Sequence, residues 1–115
     1  MLIPSEFWVK AYLRRCAADG AMAVVVNHGD DRAGAIFIKI SRLDGTAELF
    51  APAPSGFDAE PGARRFIPAL NEVRVSEGEA EAYLARQRAF DSDIWIVEVE
   101  DRKGRHRLED WLASH

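Results

Sequence analysis

Three groups of residues in this chain have the type and spacing to do chemistry. His28, Asp30 and Asp31 fall close together, and Asp91 with Asp93 form a second acidic pair. A divalent ion needs three or more oxygens or imidazoles converging from separate elements. Both groups lie in turn-like sequence, where Asp side chains cap nearby backbone N–H groups, and turn chemistry is their expected role. Glu98 and Glu100 are the third group. In a strand they share one face about 7 Å apart, a spacing that lets paired acids hold a metal or share a proton. The plainer expectation is that these acids pair with Lys39 or another cross-strand base.

Other chemistries find less. Cys16 sits in the apolar arc of a helix pattern, where a thiol behaves as a small hydrophobe with a raised pKa. Ser41 and Ser55 lack G-x-S-x-G surroundings, and no glycine loop that cradles phosphate is present. Arg102, Lys103, Arg105, His106 and Arg107 form a basic cluster on an acidic chain, a candidate anion site whose plainer role is solvated surface. Single-stranded nucleic acid would need aromatics interleaved with bases, and Phe37 beside Lys39 is the only fragment of that pattern. No residue is assigned a catalytic role. Neither a cofactor nor a metal is expected.

Composition bounds the rest. The chain has 115 residues, 48% apolar and 30% charged, which suits one globular domain over 1–115. Its net charge of −4 has the wrong sign for wrapping nucleic acid or binding anionic lipid. No apolar run approaches the roughly 20 residues of a membrane span. MLIPSEFWVK lacks the order of a signal peptide, so a cytoplasmic location is expected. One cysteine excludes an internal disulfide and a Cys-rich zinc site.

The elements that must position these residues can be read from periodicity. A helix is expected from Glu6 to Asp19, with Ser5 as N-cap and Gly20 as stop. Trp8, Val9, Tyr12, Leu13, Cys16 and Ala17 fill one arc of it, while Phe7 projects into the polar arc. Ala23–His28 and Ala35–Arg42 are β-branched runs either side of GDDRAG, which suits a hairpin. An Asp-Gly turn leads to a third strand, Ala47–Ala51. Residues 52–63, rich in proline, are expected to form a long loop, and Arg65–Ala69 to add a short edge strand closed by Pro68. Ser76 with Glu79 makes a capping box for a second helix, whose inward arc holds Ala80, Tyr83, Leu84, Gln87 and Phe90. Ile94–Glu100 is the clearest strand, and Leu108, Trp111 and Leu112 have helical spacing.

This order invites comparison with restriction-type endonucleases, where two carboxylates place a metal and a lysine orients water. The second strand offers Lys39 and no acid. The third offers Glu48-Leu49-Phe50, with phenylalanine where lysine belongs. The triad is missing.

FWVKAYLRR, GDDRAGAIFIKI, ELFAPAP and DSDIWIVEVEDRKGRHRL together resemble the small bacterial family known as domain of unknown function 1491. These blocks span nearly the whole chain, and DSDIWIVEVEDRKGRH is the most specific. The resemblance implies an intact single-domain bacterial protein, alphaproteobacterial in type. It implies no activity and no site residues.

The expected fold is α+β: an antiparallel sheet of four or five strands, a meander plus a final strand. Its order is α-β-β-β-(β)-α-β-(α), with two main helices packed on one face. Trp95, Val97 and Val99 should meet the helices together with Ile36, Ile38 and Ile40. Phe37, Lys39, Ile94, Ile96, Glu98 and Glu100 should then line an open face, too apolar for water and too charged for a core. That face suits a non-enzymatic protein-interaction module, covered by a second copy in a homodimer or by another protein. The alternative is a small-ligand-binding or metal-dependent hydrolytic enzyme using carboxylates near Asp30, Glu98 and Glu100.

Overall fold

The computed structural model describes residues 3–54 and 64–113, so most of the expected loop over 52–63 lies outside the described residues. In chain order the elements are α1 (Ser5–Ala18), β1 (Met22–Asn27), β2 (Ile36–Ser41), β3 (Thr46–Pro52) and β4 (Phe66–Pro68). Then follow β5 (Val75–Ser76), α2 (Glu77–Phe90), β6 (Trp95–Glu100) and a short 3-10 turn, Glu109–Trp111, where helical spacing had suggested more. The sheet runs β1-β6-β2-β3-β4, with β5 pairing β3.

The α+β class holds, and the meander does not. The two runs flanking GDDRAG never pair with each other. Instead β6 lies between them, antiparallel to β1 and parallel to β2, which makes a mixed, mostly antiparallel sheet of six strands. The reason lies in the strands themselves. β2 is buried at every position, and Trp95, Ile96, Val97 and Val99 of β6 are buried on alternating faces. A strand that is apolar on both faces needs cover on both, and only the middle of a sheet offers it.

The helices accordingly take opposite faces rather than sharing one. On one face α1 lays Trp8, Val9, Tyr12 and Cys16 against Ile36, Ile38, Ile40, Trp95, Val97 and Val99. On the other, Ala80 and Leu84 of α2 pack over Phe37, Leu49, Ile94 and Ile96. Period-two assignment of side chains to faces is therefore right, but the face expected to be open is a second core. Phe90 departs from its expected arc: it is the last residue of α2 and is 91% exposed.

The helix starts differ in kind. Ser76 Oγ accepts the Glu79 N–H at 3.1 Å, as a capping box requires. Ser5 is not the N-cap of α1; its buried hydroxyl donates to the Gly34 carbonyl at 2.6 Å. The first free amides of α1, those of Ser5 and Glu6, donate to the Arg32 and Asp31 carbonyls at 3.1 and 2.9 Å. A loop thus supplies what a capping side chain would. Gly20, at φ +78°, ends the helix as expected.

That same loop, residues 28–35, crosses the start of β6. Asp30 N–H donates to the Asp93 carbonyl at 2.9 Å, and Trp95 N–H donates to the Ala35 carbonyl at 2.7 Å. Trp95 Nε1 donates to the Asp30 carbonyl at 2.8 Å. So close a crossing needs residues without side chains. A Cβ on Gly29 would strike the Asp93 carbonyl oxygen, the Ile94 backbone and the Trp95 ring. Gly29→Ala is therefore expected to destabilise the protein by about 1–3 kcal/mol, an overpacking cost. Gly78→Ala, where a Cβ would meet only the Ser76 hydroxyl at 3.9 Å, should instead be neutral or stabilising by up to roughly 1 kcal/mol. Chemical denaturation midpoints decide between them; equal midpoints for the two variants would contradict the crossing.

Candidate functional site

Lys39 organises the α2 face. It lies opposite Glu98 in the β2–β6 ladder, and its side chain is only 4% exposed. Its Nζ reaches Glu77 at 2.6 Å, Glu81 at 2.5 Å and Glu98 at 3.4 Å. Burial alone would lower the lysine pKa, but hydrogen bonds to Glu77 and Glu81 and the charge of Glu98 hold it above the usual value. Glu77 sits below the usual carboxylate range, because Lys39 and the Ser41 hydroxyl outweigh its own desolvation. Three ammonium protons meet three carboxylates. Such a lysine fastens a helix to a sheet and has no lone pair to offer as a base.

The remaining carboxylates do not converge. Asp30 accepts the N–H groups of Arg32 and Ala33 at 3.1 and 2.8 Å, and Asp91 accepts that of Asp93 at 2.9 Å. These are the turn contacts expected of them. His28 pairs with Asp31 at 2.8 Å in the open. Asp30 lies beside the first residues of β6, whereas Glu98 and Glu100 occupy its far half. Among the described residues no three His, Cys, Asp or Glu side chains are placed to hold a metal.

The basic cluster is divided by the fold. Arg107 is buried, with a left-handed backbone at φ +61°; its guanidinium reaches Asp19 at 2.7 Å and Asp101 at 3.2 Å. Arg105 also donates to Asp101, at 3.0 Å. Burial would raise the Asp101 pKa, but the Lys103 amide and both arginines hold it below the usual range. The His106 ring accepts the Leu108 N–H, and its carbonyl accepts the buried Tyr12 hydroxyl at 2.7 Å. Arg102 and Lys103 remain exposed on a depression of about 320 Å³ that Asp19, Glu100 and Asp101 also line. An anion there would meet carboxylates as well as cations.

Sequence reasoning missed the surface at β1. This edge strand has the sequence MAVVVN, without charge or proline. Ala23 and Val25 face α1, while Met22, Val24 and Val26 stand on the α2 side, 64%, 50% and 52% exposed. α2 sits over β2, β3 and β5 and leaves that strip uncovered. A shallow groove of about 100 Å³ separates them, with Leu84 and Ala85 on one wall and Val26 on the other. Glu81 and Glu98 mark one end of it and Arg88 the other. The opposite edge of the sheet is guarded: β4 is three residues long, contains Pro68, and is bridged by Leu112. An unbroken apolar run hid the alternation, and β1 becomes an edge only because β6 takes its inner side.

A family model described as Protein of unknown function (DUF1491) matches residues 3–109. The crystal structure of a DUF1491 family protein from Caulobacter crescentus is 38% identical, with a TM-score of 0.80, the match covering 99% of this chain and 100% of that one. An NMR structure of a DUF1491 family protein from the same organism is 40% identical, with a TM-score of 0.79 and 99% of each chain covered. The solution structure of a protein from A. tumefaciens is 40% identical, with a TM-score of 0.73, covering 87% of this chain and 86% of that one. No curated protein matches. No helix among the described residues is long and apolar enough to cross a membrane.

The Lys39 cluster yields a pH-dependent expectation. Lys39→Met should cost about 1–3 kcal/mol near neutral pH, less than the roughly 3–5 of a fully buried pair because water screens the carboxylates. Glu77 has a depressed folded-state pKa, so its contribution is present above the ordinary carboxylate value and lost as pH falls through the depressed one. Lys39 has a raised one, so its share persists through neutral pH and is lost only in strong alkali. The cost of Lys39→Met should therefore shrink as pH falls below the ordinary carboxylate range. A gap in denaturation midpoints that is constant with pH would show that Lys39 only fills space.

Proposed function

The chain belongs to the DUF1491 family, whose function is unknown, and we propose that it is a non-enzymatic protein-interaction module that takes its partner along β1. The strip of Met22, Val24 and Val26 carries this reading. Fully burying such side chains is worth about 1.5–3 kcal/mol each, and half of that gain is forgone while they stand in water. Unpaired N–H and C=O groups on the same edge add a directional template for another chain. Phe37, Ile94 and Ile96 are not available for docking, because α2 already uses them. The docking surface lies at the outer edge of that same face.

The hydrolytic alternative has less support. Glu98 answers to Lys39, Asp30 is at the other end of β6, and among the described residues neither belongs to a group of three possible metal ligands. A cytoplasmic setting agrees with a single buried thiol at Cys16.

Site-directed photo-cross-linking in the native host tests the interaction. A photoreactive phenylalanine analogue at Val24 should give a discrete protein adduct. The same group at Val73, 65% exposed on a different surface, should give none. Labelling that is the same at both positions would overturn the reading.

A further inference from the structure

We propose, resting on the interaction reading above, that the partner at β1 is a second copy of this chain, paired antiparallel strand to strand about a two-fold axis at Val24. An edge strand without charge or proline is complementary to itself, and a two-fold uses that one surface twice. The two six-stranded sheets would continue as one. Val24 would lie opposite the partner's Val24, and Met22 opposite the partner's Val26. Directly opposed side chains on an antiparallel pair stand about 5 Å apart, so the two apolar strips would cover each other's flanks.

Charge selects this direction of pairing. In the β1–β6 ladder Met22 lies opposite Glu100 and Val24 opposite Glu98, so the acidic end of the surface is at Met22. Arg88 lies by Val26, at the other end. Glu81 and Arg88 are seven residues apart on α2, about 10 Å along the helix axis. Antiparallel pairing brings Glu100 toward the partner's Arg88, and the symmetry does so twice. Parallel pairing would set acid beside acid. Among the described residues neither Glu100 nor Arg88 has an ion-pair partner within its own chain, whereas Glu98 is held by Lys39.

Register is also constrained. The β1–β6 ladder shifts between Val25 and Asn27, a bulge at Val26 that bends the strand and limits its regular pairing with β6 to Met22–Val25. A slip of one residue would turn the strip to the face that α1 covers.

Sedimentation of the full-length protein over a wide concentration range tests the pairing. The wild type should associate to a dimer. Val24→Lys should be a folded monomer whose thermal midpoint no longer rises with protein concentration, since Val24 is half exposed and belongs to neither core. Glu100→Arg and Arg88→Glu should each weaken the dimer about tenfold, each being felt twice by symmetry, and the double variant should recover most of the loss. A wild type that is monomeric throughout overturns self-pairing. If Val24 then still cross-links to a different protein, the interaction module stands without it; if it cross-links to nothing, both readings fall. A dimer that persists in Val24→Lys, or that ignores both charge reversals, also overturns the proposed pairing.

Discussion

β6 lies between β1 and β2, antiparallel to the first and parallel to the second, and that position places both helices and both cores. Both runs of β-branched residues precede β6 in the chain, yet they are neighbours only through it. Once β6 is central, both of its faces must be covered. α1 and α2 are thereby forced to opposite sides, and two cores replace one. The crossing of residues 28–35 over Asp93 and Ile94 is part of the same arrangement. It gives α1 its first carbonyl acceptors and gives Trp95 Nε1 a partner. Its tolerance is set by two glycines against backbone atoms, which have nowhere to move.

The buried charged residues of this protein hold elements together. A lysine in the middle of β2 would be intolerable under α2 were it not met by carboxylates from the helix and from β6. Arg107 does the same for the C-terminal segment. Its guanidinium links Asp101, just after β6, to Asp19 at the end of α1, and the Tyr12 hydroxyl closes the contact on the His106 carbonyl. The left-handed backbone at Arg107 is sustained by those bonds. A basic cluster in the sequence is consequently a clamp in the fold, with Arg102 and Lys103 left outside it.

Local features were legible in the sequence, and the topology was not. The capping box at Ser76, the stop at Gly20, the edge strand around Phe66–Pro68 and the alternation of β2 and β6 all follow from residue types at short range. Which strand pairs with which is a long-range matter, and GDDRAG between two apolar runs imitates a hairpin convincingly. The corrective signal was present in IFIKI and IWIV. Neither alternates between apolar and polar, and a strand with two apolar faces belongs in the middle of a covered sheet. Ser5 misled for a related reason: its cap-like type is used on the Gly34 carbonyl, across the fold from its own helix. For the candidate site, the pairing of Glu98 with Lys39 was readable from strand geometry. The exposure of β1 was not, because it depends on where β6 goes.

The same topology explains why, among the described residues, the exposed apolar strip of the sheet lies at β1. β4 ends the other side with a proline and a bridge from Leu112, so it presents little free backbone. β1 has α1 beneath one face and β6 along one edge, and no described element covers its remaining face and edge. Met22, Val24 and Val26 cannot turn inward without taking Ala23 and Val25 out of the first core, since a strand exposes one set whenever it buries the other. Their exposure is thus the consequence of a β1 that must bury small residues against α1. It also ties the proposed docking surface to a completed fold. Until β6 has inserted, β1 has no sheet to be the edge of, and the acidic end supplied by Glu98 and Glu100 does not exist. A partner that recognises strip and charge together therefore recognises the folded protein, and not the apolar run MAVVV in an unfinished chain.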